Sequence, residues 1–187
     1  MKKALVKGVF VGAVLLLAGS AWAAEKAPQK VVDLANKELV KLGTDPVIVA
    51  AVKAENAKGK TLDQVKEQDK KWQATAGVAD FMKTLMDSPC GKKLKEIKKS
   101  APYYTELFVM DNLGGNVCMS DKTSDYWQGD EPKFTESYKG GAGAVHISDV
   151  KFDDSTQTYA VQVSVPVKDG GKAIGAVTIG IDTAKLK

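Results

Sequence analysis

The sequence predicts an α+β fold in which an antiparallel sheet of about five strands packs against N-terminal helices. Three observations support this prediction. The first half of the chain repeats apolar residues at helical spacing, the second half alternates apolar and polar residues, and segments rich in Gly, Asp and Asn separate the alternating runs. Helices followed by strands, instead of a regular alternation of the two, are typical of the α+β class.

Residues 1–23 have the features of a cleavable secretory signal peptide. Three lysines precede an apolar stretch over residues 8–18, and alanines stand at the two positions that a signal peptidase reads, Ala21 and Ala23. The apolar stretch is shorter than the roughly 20 residues that a membrane-spanning helix needs. We therefore expect cleavage before Ala24 and a periplasmic or secreted protein that keeps no stable membrane anchor.

Composition limits the classes of partner. The 187 residues include 27 basic and 23 acidic side chains, for a formal net charge of +4. Residues 1–23 contain three lysines and no acid, so their removal lowers the net charge to about +1. This balance gives no reason to expect nucleic acid or an anionic membrane as a partner.

The sequence has two cysteines, Cys90 and Cys118. Their spacing does not match a redox CxxC pair, a haem-attachment motif or a zinc site. An exported compartment permits a disulfide between them. Two buried free thiols are the alternative, because the sequence does not tell whether the two side chains meet.

Capping signals divide the helical half into five helices. Each predicted helix carries an apolar stripe and polar residues elsewhere, so each needs a surface on which to pack. The expected boundaries are an end at Gly43 for the first helix, and starts at Asp45-Pro46 for the second, Thr61 with Gln64 as a capping box for the third, Val78 for the fourth and Ser88-Pro89 for the fifth.

The second half is predicted as strands and turns. Two hairpins stand out, because turn residues separate paired apolar runs in both cases. In the second hairpin the alternation puts the apolar residues on one face. The expected elements are strands at 106–111 and 117–119, a short helix at 130–138, a strand at 144–150, and strands at 159–167 and 177–181.

Little in the sequence points to an enzyme. The single histidine, His146, lies in a strand-like stretch without the partners that a catalytic triad or a metal site requires. Asp130-Glu131 fits a helix start and Asp153-Asp154 fits a turn, where acidic residues are common. There is also no phosphate-binding glycine loop of the usual spacing. We predict neither catalysis, nor a metal, nor a cofactor.

Four stretches of the second half carry motifs in an informative order. They are Phe108-Val109-Met110-Asp111 with Gly115-Asn116-Val117, Asp125-Tyr126-Trp127, Ser164-Val165-Pro166-Val167, and Gly170 through Gly175 to Gly180-Ile181-Asp182. In this order and spacing the chain resembles the extracytoplasmic PAS-like sensor domains of the Cache (PDC) family. The resemblance covers residues 105–182 and divides the chain after the signal peptide into a helical region, 24–104, and a sensor domain, 105–187.

The resemblance implies a module that binds a small ligand between the sheet and the segment that crosses it. In that family a fused kinase, chemoreceptor or cyclase domain usually reads the binding event. Because this sequence ends five residues after Asp182, we expect it to act in trans through a separate membrane sensor or receptor, or as a binding protein. The alternative is a structural or protein-interaction module with the same fold and no ligand.

The family's amino-acid sensors carry an Arg-x-Trp-Tyr motif, a later tyrosine and an aspartate on the last strand. Only the aspartate has a clear counterpart in this sequence, Asp182, and Lys151 stands about where the later tyrosine would be. We expect Tyr126 and Trp127 to form the walls of the pocket, although each could instead belong to the core. Asp182 is expected to anchor a small polar or charged organic molecule, unless Lys151 neutralises it.

By the two-residue period of a strand, the side chains of Gln162 and Ser164 share one face, as do those of Thr178 and Asp182. Whether the two pairs meet depends on the register of the hairpin. The complete set of predicted ligand-binding residues is Tyr126, Trp127, Tyr138, His146, Lys151, Gln162, Ser164 and Asp182.

Overall fold

The structure is a computed structural model that describes residues 25–153 and 157–187. The predicted signal peptide lies outside the described residues. Within the part of the chain that the structure describes, no helix has the length and the apolar character needed to cross a membrane.

Six α-helices and one longer 3-10 helix lie among the described residues, and a short second 3-10 turn, Lys139–Gly141, follows the last α-helix. They are α1 (Gln29–Lys37), the 3-10 helix (Leu39–Thr44), α2 (Pro46–Asn56), α3 (Leu62–Gln73), α4 (Asp80–Asp87), α5 (Pro89–Ser100) and α6 (Pro132–Tyr138).

The predicted helix starts are confirmed where a side chain caps the helix. The Asp45 carboxylate accepts hydrogen bonds from two backbone amides at the start of α2. Thr61 and Gln64 form a reciprocal capping box before α3, and Ser88 accepts from the amide of Gly91 at the start of α5. These caps satisfy amides that have no partner within the first helical turn.

The strands form one antiparallel sheet in the order β2-β1-β6-β5-β3, with β4 paired to β5 as well. This confirms the predicted α+β class and the antiparallel sheet. The strands are β1 (Tyr104–Met110), β2 (Asn116–Met119), β3 (His146–Ile147), β4 (Lys151–Asp153), β5 (Thr158–Asp169) and β6 (Lys172–Asp182).

The strand expected at residues 144–150 differs from the structure. Only His146 and Ile147 form ladder pairs with β5, and the separate strand β4 follows. The ladder ends at Ser148, because the backbone amide of Gln162 donates to the Ser148 hydroxyl and not to its carbonyl. Beyond this point the amide of Val150 donates to the carbonyl of Glu25, 2.8 Å away, in the N-terminal segment.

The two faces of the sheet are covered differently. One face, called here the valine face, carries a continuous set of buried branched side chains that pack with α1, α2 and α5: Val161, Val163, Val165, Val167, Val177, Ile179 and Ile181. At one end of the opposite face, Phe108, Met110, Met119 and Ala176 pack with side chains of α3, α4 and α6, including Val65, Trp72, Met82 and Phe134.

The structure joins Cys90 to Cys118 by a disulfide that links α5 to β2. The two Cα atoms are 5.8 Å apart, which is within the usual range for a bridge. Both cysteines are buried in the cluster beneath the valine face.

Candidate functional site

Polar side chains on the face opposite the valine face lie in adjacent rows across the sheet. In the first row His146 pairs with Ser164, and Ser164 pairs with Thr178. The hydroxyls of Ser164 and Thr178 are 2.9 Å apart and buried, and they bond to each other. Because directly paired residues of antiparallel strands point to the same face, this register settles that the predicted polar pairs of β5 and β6 converge. We call this surface the polar face.

The second row connects Ser148, Gln162 and Glu106. Two hydrogen bonds join Gln162 to Ser148. The backbone amide of Gln162 donates to the Ser148 hydroxyl, and the backbone amide of Ser148 donates to the backbone carbonyl of Gln162. On the other side, Gln162 Nε2 donates to Glu106 Oε1 at 2.9 Å. The row thus carries a carboxylate on β1, an amide on β5 and a hydroxyl just after β3, with β6 between the first two.

Gly180 makes the contact between Gln162 and Glu106 possible. It pairs with Gln162 on one side and with Glu106 on the other, so it occupies the place between them on β6. A Cβ atom at this position would lie 2.7 Å from Glu106 Cγ, a distance at which the side chain of Glu106 must move. The missing side chain of Gly180 leaves the space in which the two polar groups meet.

A cavity of about 150 Å³ opens beside the second row. Glu106, Gln162 and Ser148 contribute polar groups to its lining, and Lys151 of β4 adds an ammonium. Phe152 and Ala160 provide the apolar part of the lining. The cavity thus combines an acid, a base, a hydroxyl and an amide with a small apolar wall, which is the composition of a site for a small polar organic molecule.

Asp182 begins the third row, where it pairs with Ala160, which in turn pairs with Lys151. Its carboxylate is buried and already has local partners, the amides of Ala184 and Lys185 and, 3.0 Å away, the ammonium of Lys185. Burial alone would raise the pKa of Asp182, but the hydrogen bonds and charge of Lys185 hold it below its usual value. Lys185, and not Lys151, therefore neutralises Asp182.

His146 and Tyr138 lie toward the other border of the polar face. Burial lowers the pKa of His146, which favours the uncharged imidazole, and the charge of Lys151 acts in the same direction against the opposing effect of Glu136. Tyr138 is partly buried at the end of α6 and stacks on Phe134, with 5.2 Å between the ring centroids. Neither side chain lines the cavity beside the second row.

Tyr126 and Trp127 lie elsewhere. Tyr126 is buried against Trp72 of α3, and its hydroxyl accepts a hydrogen bond from Lys60. It belongs to the same apolar cluster as Ala176, and Asp182 lies six residues further along β6, which at the usual rise is about 20 Å. Trp127 Nε1 donates a hydrogen bond to the Leu113 carbonyl, which fixes the position of the indole ring. The structure does not bring these two rings to the predicted anchor.

Five of the eight predicted residues therefore share one surface: His146, Lys151, Gln162, Ser164 and Asp182. Sequence reasoning missed Glu106 and Ser148. The one feature of the sequence that could have indicated Glu106 is a charged residue at the start of an apolar strand. Its position opposite Gln162 depends on the pairing of β1 with β6 across Gly180, which no local pattern specifies.

Comparisons with known proteins identify the fold. No family model matches the chain, and no curated protein matches it. Among solved structures, the sensor domain of the histidine kinase DctB of V. cholerae matches 84% of this chain and 52% of its own length, with 12% identity and a TM-score of 0.50. The sensory domain of the Campylobacter jejuni chemoreceptor Tlp3 with isoleucine bound matches 86% and 65%, with 16% identity and a TM-score of 0.42.

The chain has the fold of the PAS-like Cache (PDC) sensor domains. It spans about half the length of the DctB sensor domain. In this Cache-type fold the sheet, its valine face and the helices that cover it are the scaffold. At 12% identity the likeness to the DctB domain concerns the fold and not the residues of the polar rows.

Proposed function

We propose that this protein is an exported sensor module that binds a small polar organic molecule on the polar face. The observation that carries the proposal is the cavity in which Glu106 and Lys151 provide opposite charges beside Gln162 and Ser148. The Cache-type fold supports a binding role over a catalytic one, because the matching domains are sensor domains. Export, with Ala24 as the first residue, stays a prediction from the sequence.

The lining sets the chemistry of the ligand. The Lys151 ammonium calls for a carboxylate or another acceptor, whereas the Glu106 carboxylate has several lone pairs and calls for an amine or another donor. At about 30 Å³ per molecule of water, a volume of about 150 Å³ holds about five or six non-hydrogen atoms. A small zwitterion or hydroxy acid meets these requirements.

The position of Lys151 suggests how binding could be transmitted. Lys151 lies on β4, which is three residues long and pairs with β5 alone, whereas Glu106 lies on β1 on the far side of β6. A molecule that bridges the two charges ties this short edge strand to the centre of the sheet. Binding therefore changes the order of the β4 segment, which a partner could detect. That the partner is a separate membrane receptor stays a prediction.

A thermal-shift screen tests the proposal. The panel contains glycine and alanine as zwitterions, glycolate and lactate as hydroxy acids, acetate and propionate as simple anions, and ethylamine as a small cation. A ligand at 100 times its Kd adds about 2.7 kcal/mol of stability, which in a domain of this size raises the Tm by about 5–10 °C. We expect a zwitterion to give the largest shift.

Two substitutions and two matched controls locate the site. Glu106→Gln and Lys151→Met should each reduce the shift, because each removes one of the two charges that the ligand meets. Glu96→Gln and Lys172→Met remove an acid and a base that do not line the cavity and should keep the full shift. The proposal fails if no compound of the panel stabilises the parent, or if both site variants respond as strongly as the parent.

A role in protein interaction is the second candidate, and one observation favours it. Phe152 and Tyr159 pack edge to face with their ring centroids 5.3 Å apart, although they are 48% and 63% exposed. Exposed aromatic pairs are common at protein interfaces. Sedimentation of the parent and of Tyr159→Ser tests this role, which predicts an assembly that the substitution dissociates.

A further inference from the structure

A second, larger groove lies away from the polar face, between α2 and the helices α4 and α5. Two adjoining cavities form it, of about 580 Å³ and about 450 Å³, and they share Glu55, Lys58 and Leu85 in their linings. We call it the α2–α4 groove. One half is largely apolar, and the other half carries polar and charged side chains.

The apolar half is walled by small hydrophobic residues of α2 and by the buried end of the disulfide. Val47, Ala50 and Ala51 form one side, and Cys90 and Val117 lie opposite. Two hydroxyl residues also line this half, but both hydroxyls already bond to the backbone of their own helix region: Thr84 donates to Asp80, and Ser88 donates to Leu85. The hydroxyl protons of this half are therefore already used, and most of the surface left for a ligand is apolar.

The polar half concentrates positive charge around one buried carboxylate. Glu55 is 9% exposed, and its two oxygens lie 2.6 Å from Lys58 Nζ and 2.5 Å from Lys60 Nζ. Lys60 also donates to the hydroxyl of Tyr126, 3.2 Å away. Burial opposes the charged forms of Glu55 and Lys60. Nevertheless, Lys58 and Lys60 hold the pKa of Glu55 below its usual value, and Glu55 and Tyr126 hold the pKa of Lys60 above its usual value. At neutral pH two ammoniums therefore face one carboxylate.

Two further features make this half suitable for an anion. In the capping box, Gln64 Oε1 accepts a hydrogen bond from the Thr61 backbone amide. The Nε2 group of the same side chain can therefore donate to a ligand. The nearby acid Asp111 does not line the groove, and its carboxylate accepts the amides of Leu113 and Gly115. The charged residues that line this half, Glu55, Lys58 and Lys60, therefore sum to one positive charge, and Asp111 acts on Lys60 only from behind the lining.

We propose that the α2–α4 groove binds an amphipathic monocarboxylate, with the hydrocarbon chain between α2 and α5 and the carboxylate at Lys58 and Lys60. The groove matches this class in charge, because its cationic half adjoins a half that is largely apolar. It also matches in size, since each cavity lies within the range of small-molecule sites. The site is separate from the polar face and does not depend on a ligand there.

Calorimetric titration with hexanoate, octanoate and decanoate, each below its micelle concentration, tests the proposal. Burial of one methylene group tightens binding about fourfold, so each step of two methylenes should tighten it about 15-fold until the groove is full. Decan-1-ol and decyltrimethylammonium have the same chain with no charge or the opposite charge. Both should bind at least fivefold more weakly than decanoate.

Substitutions test which half of the groove binds the hydrocarbon chain and which half binds the carboxylate. Ala50 is an exposed residue of α2 that lines the apolar half, so Ala50→Trp should fill it and abolish binding, whereas Asn36→Trp, at an exposed position of α1 outside both cavities, should not. Lys58→Gln should weaken decanoate binding about fivefold and leave decan-1-ol unaffected. Lys70→Gln on α3 removes an exposed charge outside the groove and is its control.

Several results would overturn the proposal. It is wrong if decanoate does not bind, if the three head groups bind equally, or if Ala50→Trp binds like the parent. It is also wrong if the parent is a dimer that Ala50→Trp dissociates and neither form binds decanoate, because the groove would then be an interface between two copies. Retained decanoate binding by Glu106→Gln and Lys151→Met, the variants of the polar face, would support two separate sites.

Discussion

The two faces of the hairpin formed by β5 and β6 have opposite chemistry. On the valine face, successive branched side chains are completely or almost completely buried against helices. On the polar face the same strands present Gln162, Ser164 and Thr178, and β1 adds Glu106. A buried polar group costs free energy unless it is paired. Apolar side chains on both faces would therefore be sufficient for stability. The contrast separates the face that packs against the helices α1, α2 and α5 from the face on which we propose that a small molecule binds.

The largest expected effect separates the two faces directly. Ile179→Ala empties a fully buried position on the valine face and should lower the free energy of unfolding by about 2–5 kcal/mol. The double variant Ser164→Ala with Thr178→Val removes both partners of a buried hydrogen bond on the polar face and should be nearly neutral. Urea denaturation measures both. A greater loss in the double variant would contradict the assignment of the two faces.

The next effect concerns the disulfide beneath the valine face. It closes a separation of 28 residues, and loss of such a constraint should cost about 3 kcal/mol by the chain-entropy account. The double variant Cys90→Ser with Cys118→Ser should therefore unfold at lower urea but still bind ligand on the polar face. Thiol counting on the unfolded, unreduced parent should find no reactive thiol, and two reactive thiols would show that the bridge does not form.

A smaller effect is expected at Asp182, where the polar face ends. Its pKa is below the ordinary 3.8, so its ionised form stabilises the fold at pH values above 3.8, and this contribution is lost as the pH falls through the lower folded value. Asp182→Asn should cost about 1–2 kcal/mol at pH 7. The difference from the parent should therefore shrink as the pH falls below 3.8. A constant difference from pH 7 to pH 2 would mean that the charge of Asp182 is not the cause.

The smallest effect is expected at the capping box of α3, remote from both faces. Thr61→Ala removes the side-chain oxygen that accepts the Gln64 amide and should cost about 1 kcal/mol. Thermal unfolding followed by circular dichroism measures the change. Thr61→Ser keeps the hydroxyl and should retain most of the stability. Equal losses in the two variants would show that the cap contributes little.

The sequence could predict those parts of the fold that depend on residues close together in the chain. The caps at Asp45, Thr61 and Ser88 are formed by residues close together in the chain, and the second hairpin follows from strict alternation around a glycine turn. The early end of β3 was not predictable, because it involves the bond from Gln162 to the Ser148 hydroxyl and the bond from Val150 to Glu25. Contacts between distant segments have no local pattern.

The candidate site was predictable only in part, for the same reason. The hairpin brings Gln162 and Ser164 to one face, as the two-residue period predicts. Glu106 joins them only through the pairing of β1 with β6, and the partner of Asp182 proved to be Lys185, three residues along the chain, within the segment after β6. Tyr126 was predicted as a wall of the pocket, but its packing against Trp72 directs it toward the helices.

The most direct test of the account is an NMR titration of the ¹⁵N-labelled domain with whichever small molecule of the panel raises its Tm most. The account predicts that the largest amide shifts fall on the residues around the polar-face cavity, namely Glu106, Ser148, Lys151, Ala160 and Gln162, and that Lys151→Met abolishes them. Shifts confined to other parts of the domain, such as the α2–α4 groove around Val47 and Lys58, would contradict the claim that the polar face is the sensing site.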